Sequence, residues 1–163
     1  KDTAVFFTSD HGYLLGEHHF WQKGNLREEV TRVPLVMRSP GRQPGVSSSI
    51  VELVDMFPTA CELIGLPIPK SVQGKSLLSI LDNPKATVKS SALSFVSKGT
   101  SMRSPNWAYM KYGDGSEELY DMKNDPKQFK NLAKGSALKK ELQTQRKLFE
   151  NRNKTIKYHT QRS

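Results

Sequence analysis

The chain has 163 residues, a formal net charge of +9 and 36% hydrophobic residues. That balance suits one folded domain of ordinary size and excludes a chain too polar to bury a core. No apolar run approaches the roughly 20 residues of a membrane-spanning helix, and a lone cysteine, Cys61, excludes an internal disulfide framework.

Ala4-Val5-Phe6-Phe7 is a short unbroken apolar run that stops at Thr8-Ser9-Asp10. Apolar character on both faces predicts a central parallel strand. The run begins almost at once and the first residue is Lys1, not methionine, so the chain is expected to be the C-terminal piece of something longer. Val33-Pro34-Leu35-Val36-Met37 predicts a second strand. Pro34 has no N–H to donate and belongs at that strand's start or on an edge. Ser39 to Gly45 punctuates the chain with Pro and Gly. A helix is predicted from Asp55 to Ile64. Pro58 fits its first turn, Asp55 its N-cap and Gly65 the position just past its end. Met56 or Phe57, Ala60, Leu63 and Ile64 form its apolar face. A competing capping box, Ser49-x-x-Glu52, would put Pro58 mid-helix and is rejected. Leu66 to Ser90 reads as loop with one short helix near Ser76–Leu81.

Composition then shifts. Ala92–Val96, Trp107–Tyr112 and Glu118–Asp121 predict antiparallel strands, with Gly113-Asp114-Gly115 turning between the last two. A final helix is predicted over Ser136–Asn151, with Leu138, Leu142, Gln145 and Phe149 near one stripe. The expected fold is α/β. Residues 1–90 end a mixed or parallel sheet domain, and residues 91–163 form a small antiparallel sheet with a packed helix.

The segment after the first strand concentrates ionisable groups: Asp10, His11, Glu17, His18, His19 and Lys23. In open α/β sheets, ligands bind at the carboxyl ends of strands. Asp10 and His11 lie at such an end, and Gly12 lets the backbone turn there. An aspartate held there is costly unless a bound cation or a cationic neighbour pairs with it; capping a following helix is the ordinary alternative. Within the loop, His18 reads as a residue that orders it by hydrogen bonding. His19 reads as exposed, Glu17 as a structural partner or cap, and Arg32 as the partner of Glu28 or Glu29.

Ser9-Asp10-His11-Gly12, Leu15-Gly16-Glu17-His18, Trp21-x-Lys23 and Arg32-Val33-Pro34-Leu35 together resemble the C-terminal half of type I sulfatases, members of the alkaline-phosphatase-like superfamily. Within it the pattern is most similar to the iduronate-2-sulfatase branch. Pro40-Gly41, Val54-Asp55-x-x-Pro58-Thr59, Gly65-Leu66-Pro67, Gly74-Lys75-Ser76-Leu77 and Glu118-Leu119-Tyr120-Asp121-x-x-x-Asp125-Pro126 follow in the same order. The resemblance implies that Asp10 ligates a calcium ion and that His11 is a ligand or a sulfate contact. It implies that Lys23 grips the sulfate group, where an ammonium stabilises charge as the ester breaks. Tyr13, Trp21 and Asn25 are the substrate-side candidates. The implied substrate is a sulfated small molecule or glycan, and the implied location is an exported one.

A type I sulfatase also needs a cysteine or serine in C/S-x-P/A-x-R, oxidised to formylglycine. No position of this chain fits: Cys61 has Gly65, not arginine, four residues on, and reads as core packing. The chain is therefore expected to carry part of a site, to be inactive alone, and to have the upstream portion of the same enzyme as partner. Two other readings stand beside this one. The first is a phosphate or phosphonate ester hydrolase of the same superfamily. The second is a non-catalytic module binding sulfated glycans through the basic C-terminal helix, since the residues from Lys139 on hold eight of the basic side chains against Glu141 and Glu150. That basic end also reads as an ordinary solvated helix face. Nothing points to nucleic acid, because aromatic and basic residues do not interleave.

Overall fold

The structure, a computed structural model, describes residues 2–156. Its first strand, β1 (Val5–Thr8), pairs antiparallel with β4 (Leu35–Arg38), Phe7 lying opposite Val36. The expected parallel neighbour of β1 is not found among the described residues; two apolar faces measure burial, not strand direction. Pro34 directly precedes β4, where its missing donor breaks no ladder bond. Between these strands lie a small hairpin, β2 (Leu14–Leu15) with β3 (Trp21–Gln22), and one turn of helix, α1 (Glu28–Thr31).

The central helix, α2 (Met56–Leu63), ends as read from sequence: Gly65 takes φ 72 and the Leu66 N–H reaches back to the Cys61 carbonyl. Its start differs. Asp55 makes no side-chain cap to α2; its carboxylate accepts the Glu52 N–H at 2.8 Å and closes a 3₁₀ turn over Leu53–Asp55. Cys61 is buried in the core, as expected. The short helix α3 spans Leu78–Asp82.

β5 (Ala92–Val96), β6 (Gly99–Arg103), β7 (Trp107–Tyr112) and β8 (Glu117–Asp121) form an antiparallel meander in chain order. β6 was not foreseen, since Gly-Thr-Ser-Met-Arg offers only Met102 as a buried apolar group. Period-2 alternation splits the sheet into two faces. Leu93, Met102, Tyr109 and Leu119 pack on Leu142 and Phe149 of the final helix, α4 (Lys139–Lys154). The Phe149 ring meets Tyr109 edge-on, with centroids 5.3 Å apart. The opposite face, with Ala108, Met110, Tyr120 and Met122, receives Leu26. Leu26 is 2% exposed, a burial worth roughly 2 kcal/mol.

At the rim of the α4 face, Glu117 accepts hydrogen bonds from the Arg146 guanidinium and the Tyr109 hydroxyl. The Arg146 bond, chiefly, holds the Glu117 carboxyl below the usual glutamate value, and burial of Tyr109 pushes its phenol up. A depressed carboxyl adds stability above its unfolded value of 4.5, and that share fades as pH falls through the folded value. Arg146 is 45% exposed, so Arg146→Ala is expected to cost less than about 1 kcal/mol at pH 7. Urea unfolding should show the gap to the parent protein narrowing below pH 4.5. A gap that widens on acidification would contradict the assignment.

Candidate functional site

Gly12 fixes the end of β1. Its N–H donates to the Val30 carbonyl at 2.8 Å, and a Cβ there would lie 1.9 Å from the Glu29 carbonyl oxygen. Only glycine allows this approach to α1. The turn leaves Asp10 with its side chain 85% exposed. One carboxylate oxygen accepts the His11 N–H at 2.9 Å, and the other lies 3.6 Å from His11 Nε2. These two contacts, the backbone bond first, hold the Asp10 carboxyl below its ordinary range. The Nδ1 atom of His11 pairs with the Gly12 carbonyl at 2.8 Å, which fixes the ring and turns Nε2 toward the carboxylate.

Asp10, His11, Lys23 and Asn25 line one open cleft of about 1450 Å³. Lys23 has no carboxylate partner among the described residues, so its ammonium is available to an anion. Asn25 has a structural duty as well: its side-chain oxygen accepts the Arg27 N–H at 3.0 Å. Tyr13 and Trp21 do not line the cleft. They lie exposed on the β2–β3 hairpin, with the Tyr13 hydroxyl directed at the Trp21 carbonyl at 3.4 Å. His19 is exposed, as expected, and Arg32 lies 3.7 Å from Glu28.

The loop carrying Lys23 is bolted to the antiparallel sheet just beyond it. Leu26 plugs the sheet face, and Arg27 lies 3.1 Å from Glu118 with its guanidinium 4.8 Å from the centre of the Tyr120 ring. The Gln128 side chain accepts the Glu28 N–H at 2.9 Å, while its carbonyl accepts Arg27 Nη1 at 3.2 Å. Arg103 reaches Glu28 at 3.1 Å. Sequence reading missed these contacts. Their partners stand about 75 to 100 positions away in the chain, and no local pattern announces such a pairing.

The donor set bears on which ion could sit here. Among the described residues no three His, Cys, Asp or Glu side chains converge to hold a metal. Calcium takes six to eight oxygens, and the carboxylate of Asp10 is of the right hardness. His11 offers nitrogen, which suits a hard cation poorly. Of the two side chains, only Asp10 offers a donor that suits a hard cation.

The α/β frame that carries this cleft is that of the sulfatase superfamily. A protein solved in complex with its substrate D-glucosamine-2-N,6-O-disulfate matches the fold with a TM-score of 0.86 at 28% identity, over 93% of this chain and 34% of that one. A phosphonate monoester hydrolase from Silicibacter pomeroyi shares the fold with a TM-score of 0.85 at 24% identity, over 98% of this chain and 36% of that one. Residues 16–155 match the family described as N-sulphoglucosamine sulphohydrolase, C-terminal, and the chain belongs to that family. Arylsulfatase K of Homo sapiens is 31% identical over 150 residues, covering 82% of this chain and 28% of that protein. The chain therefore spans less than a third of the length of that relative.

Proposed function

We propose that this chain contributes the metal- and sulfate-binding corner of a sulfuric ester hydrolase. Asp10 supplies a calcium ligand. Lys23 binds the sulfate group from the same cleft and stabilises the charge that grows on its oxygens. His11 orients Asp10 and meets a sulfate oxygen. Asn25 lines the substrate side, while Tyr13 and Trp21 can touch only a substrate large enough to reach the neighbouring hairpin. The metal, when bound, withdraws charge from the sulfate oxygens. The formylglycine nucleophile belongs to the upstream portion of the enzyme, because no residue of this chain stands in its motif. The observation that supports the reading is that Asp10, His11 and Lys23 line the same open cleft.

A sulfated sugar is the substrate class we favour, supported by the disulfated glucosamine held by one structural relative. The iduronate-2-sulfatase branch is the finer reading, supported by the histidine that follows Asp10. An exported location belongs to the same reading and rests on the family alone. The division near residues 90 and 91 is likewise part of it, and β5 begins just beyond, at Ala92. No helix among the described residues is long and apolar enough to cross a membrane.

Lys23→Ala in the full-length protein is expected to lower kcat/KM for an aryl sulfate by about 10²-fold or more. Undiminished turnover would remove Lys23 from the site. Phosphonate ester hydrolysis is the second reading, favoured by the fold shared with the Silicibacter enzyme. Preference for a phosphonate over a sulfate ester in the same assay would select it. Glycan capture by the basic helix alone draws less support. Arg146 is bonded to Glu117 and Arg152 to Glu52, and Lys157 and Arg162 lie outside the described residues.

A further inference from the structure

We infer that His18 is a positioning residue, latching the loop that carries Lys23 onto α1 through Glu29. The inference rests on the reading that Lys23 binds the sulfate group. The His18 side chain is only 8% exposed, and its Nε2 lies 3.7 Å from Glu29 Oε1. That is too long for a hydrogen bond. Buried polar atoms in folded proteins nearly always find partners, yet neither His18 Nε2 nor Glu29 Oε2 has one. The two unpartnered atoms belong to side chains that already approach within 3.7 Å, through Nε2 and Oε1.

The backbone points the same way. His18 and His19 take φ 54 and 64, left-handed values that cost a non-glycine residue free energy. Such a conformation persists where surroundings hold it. Here the His18 ring packs 5.0 Å from Phe129, and the Glu17 carboxylate accepts the Leu15 N–H. Glu17 is the second acid near the imidazole, and its carboxyl is held low by backbone N–H groups first and by His18 and Lys127 after them. The charged groups facing His18 are thus Glu29 on α1 and Glu17 on its own turn, with Lys127 behind Glu17.

The position of α1 gives the contact its consequence. Val30 of α1 accepts the Gly12 N–H and so fixes the turn of Asp10 and His11. Glu29, its neighbour, faces His18, five residues before Lys23. One helical turn therefore references both sides of the site. Closing Nε2–H onto the Glu29 carboxylate sets the reach of Lys23 relative to Asp10.

The test uses the full-length protein with His18→Asn, Glu29→Gln and the pair combined. Amide hydrogen exchange over residues 16–23 is expected to quicken by roughly tenfold in each single variant and no further in the double. For an aryl sulfate, kcat/KM should fall and the inhibition constant of inorganic sulfate should rise, each by about tenfold. In a Lys23→Ala background His18→Asn should add nothing to either. Unchanged exchange over 16–23, or full additivity of the two variants, overturns the latch. So does an undiminished His18→Asn effect once Lys23 is gone. Faster exchange with Lys23→Ala itself kinetically silent keeps the latch and overturns the role of Lys23 instead.

Discussion

Asp10→Ala in the full-length protein is expected to lower kcat/KM for an aryl sulfate by at least about 10³-fold, and to abolish stoichiometric calcium binding. The size follows from what is lost together under the proposed function: a metal ligand and a fixed negative charge beside the sulfate group. The stability effect should be small by comparison. The Asp10 side chain is 85% exposed and bonds only to its immediate neighbours, Ser9 and His11. Surface changes of that kind stay within about 0.5 kcal/mol. Asp10→Asn keeps one oxygen and the shape but loses the charge, so it should fall between the two. The paired measurement is bound calcium by elemental analysis alongside steady-state kinetics. Normal calcium content with normal turnover in Asp10→Ala would remove the corner from the active site altogether.

The candidate site could be proposed from sequence because its residues are crowded into one short stretch. Asp10, His11, Gly12 and Lys23 lie within fourteen positions, although the loop that carries Lys23 is held by distant residues such as Gln128 and Arg103. Gly65 at the end of α2 and the turn at Gly115 were legible for the same reason, each a local backbone demand that glycine meets. Tyr13 and Trp21 show the limit. They are as close in sequence as Asn25, but the β2–β3 hairpin carries them away from the cleft lining. Strand direction in β1 was not legible, because apolar faces say nothing about which way a neighbour runs. β6 was hidden by its polar composition: its place comes from pairing with β5 and β7. Asp55 looked like a helix cap because local spacing fits one. One of its partners, the Glu52 N–H, is local but closes the turn before α2; the others come from 20 and 34 residues away, beyond any local signal.

Those partners make Asp55 the position of largest expected stability loss: Asp55→Ala should cost the full-length protein about 3 to 5 kcal/mol. Asp55 is fully buried. It accepts the Glu52 and Lys75 N–H groups, each at 2.8 Å, and the ammonium of Lys89. Lys89 is itself 5% exposed and pairs also with Glu52, which receives Arg152 of α4 at 2.8 Å and the Leu93 N–H of β5 at 2.7 Å. Two acids and two bases balance only while all four are present. Removing Asp55 leaves Lys89 sharing one carboxylate with Arg152 and strands two N–H groups in the interior. Asp55→Asn keeps the acceptor and should cost less. Lys89→Met alone leaves two buried acids facing one arginine, so combining it with Asp55→Asn should restore part of the loss. Urea midpoints of the four variants measure this, and a loss below about 1 kcal/mol in Asp55→Ala would show the cluster to be dispensable. Activity separates this role from that of Asp10. Glu52 and Arg152 line the same cleft as Lys23, but the cluster holds the α4 end of the molecule to the turn before α2. Asp55→Ala should therefore lose activity in proportion to the unfolded fraction, with kcat per folded molecule within about threefold of the parent.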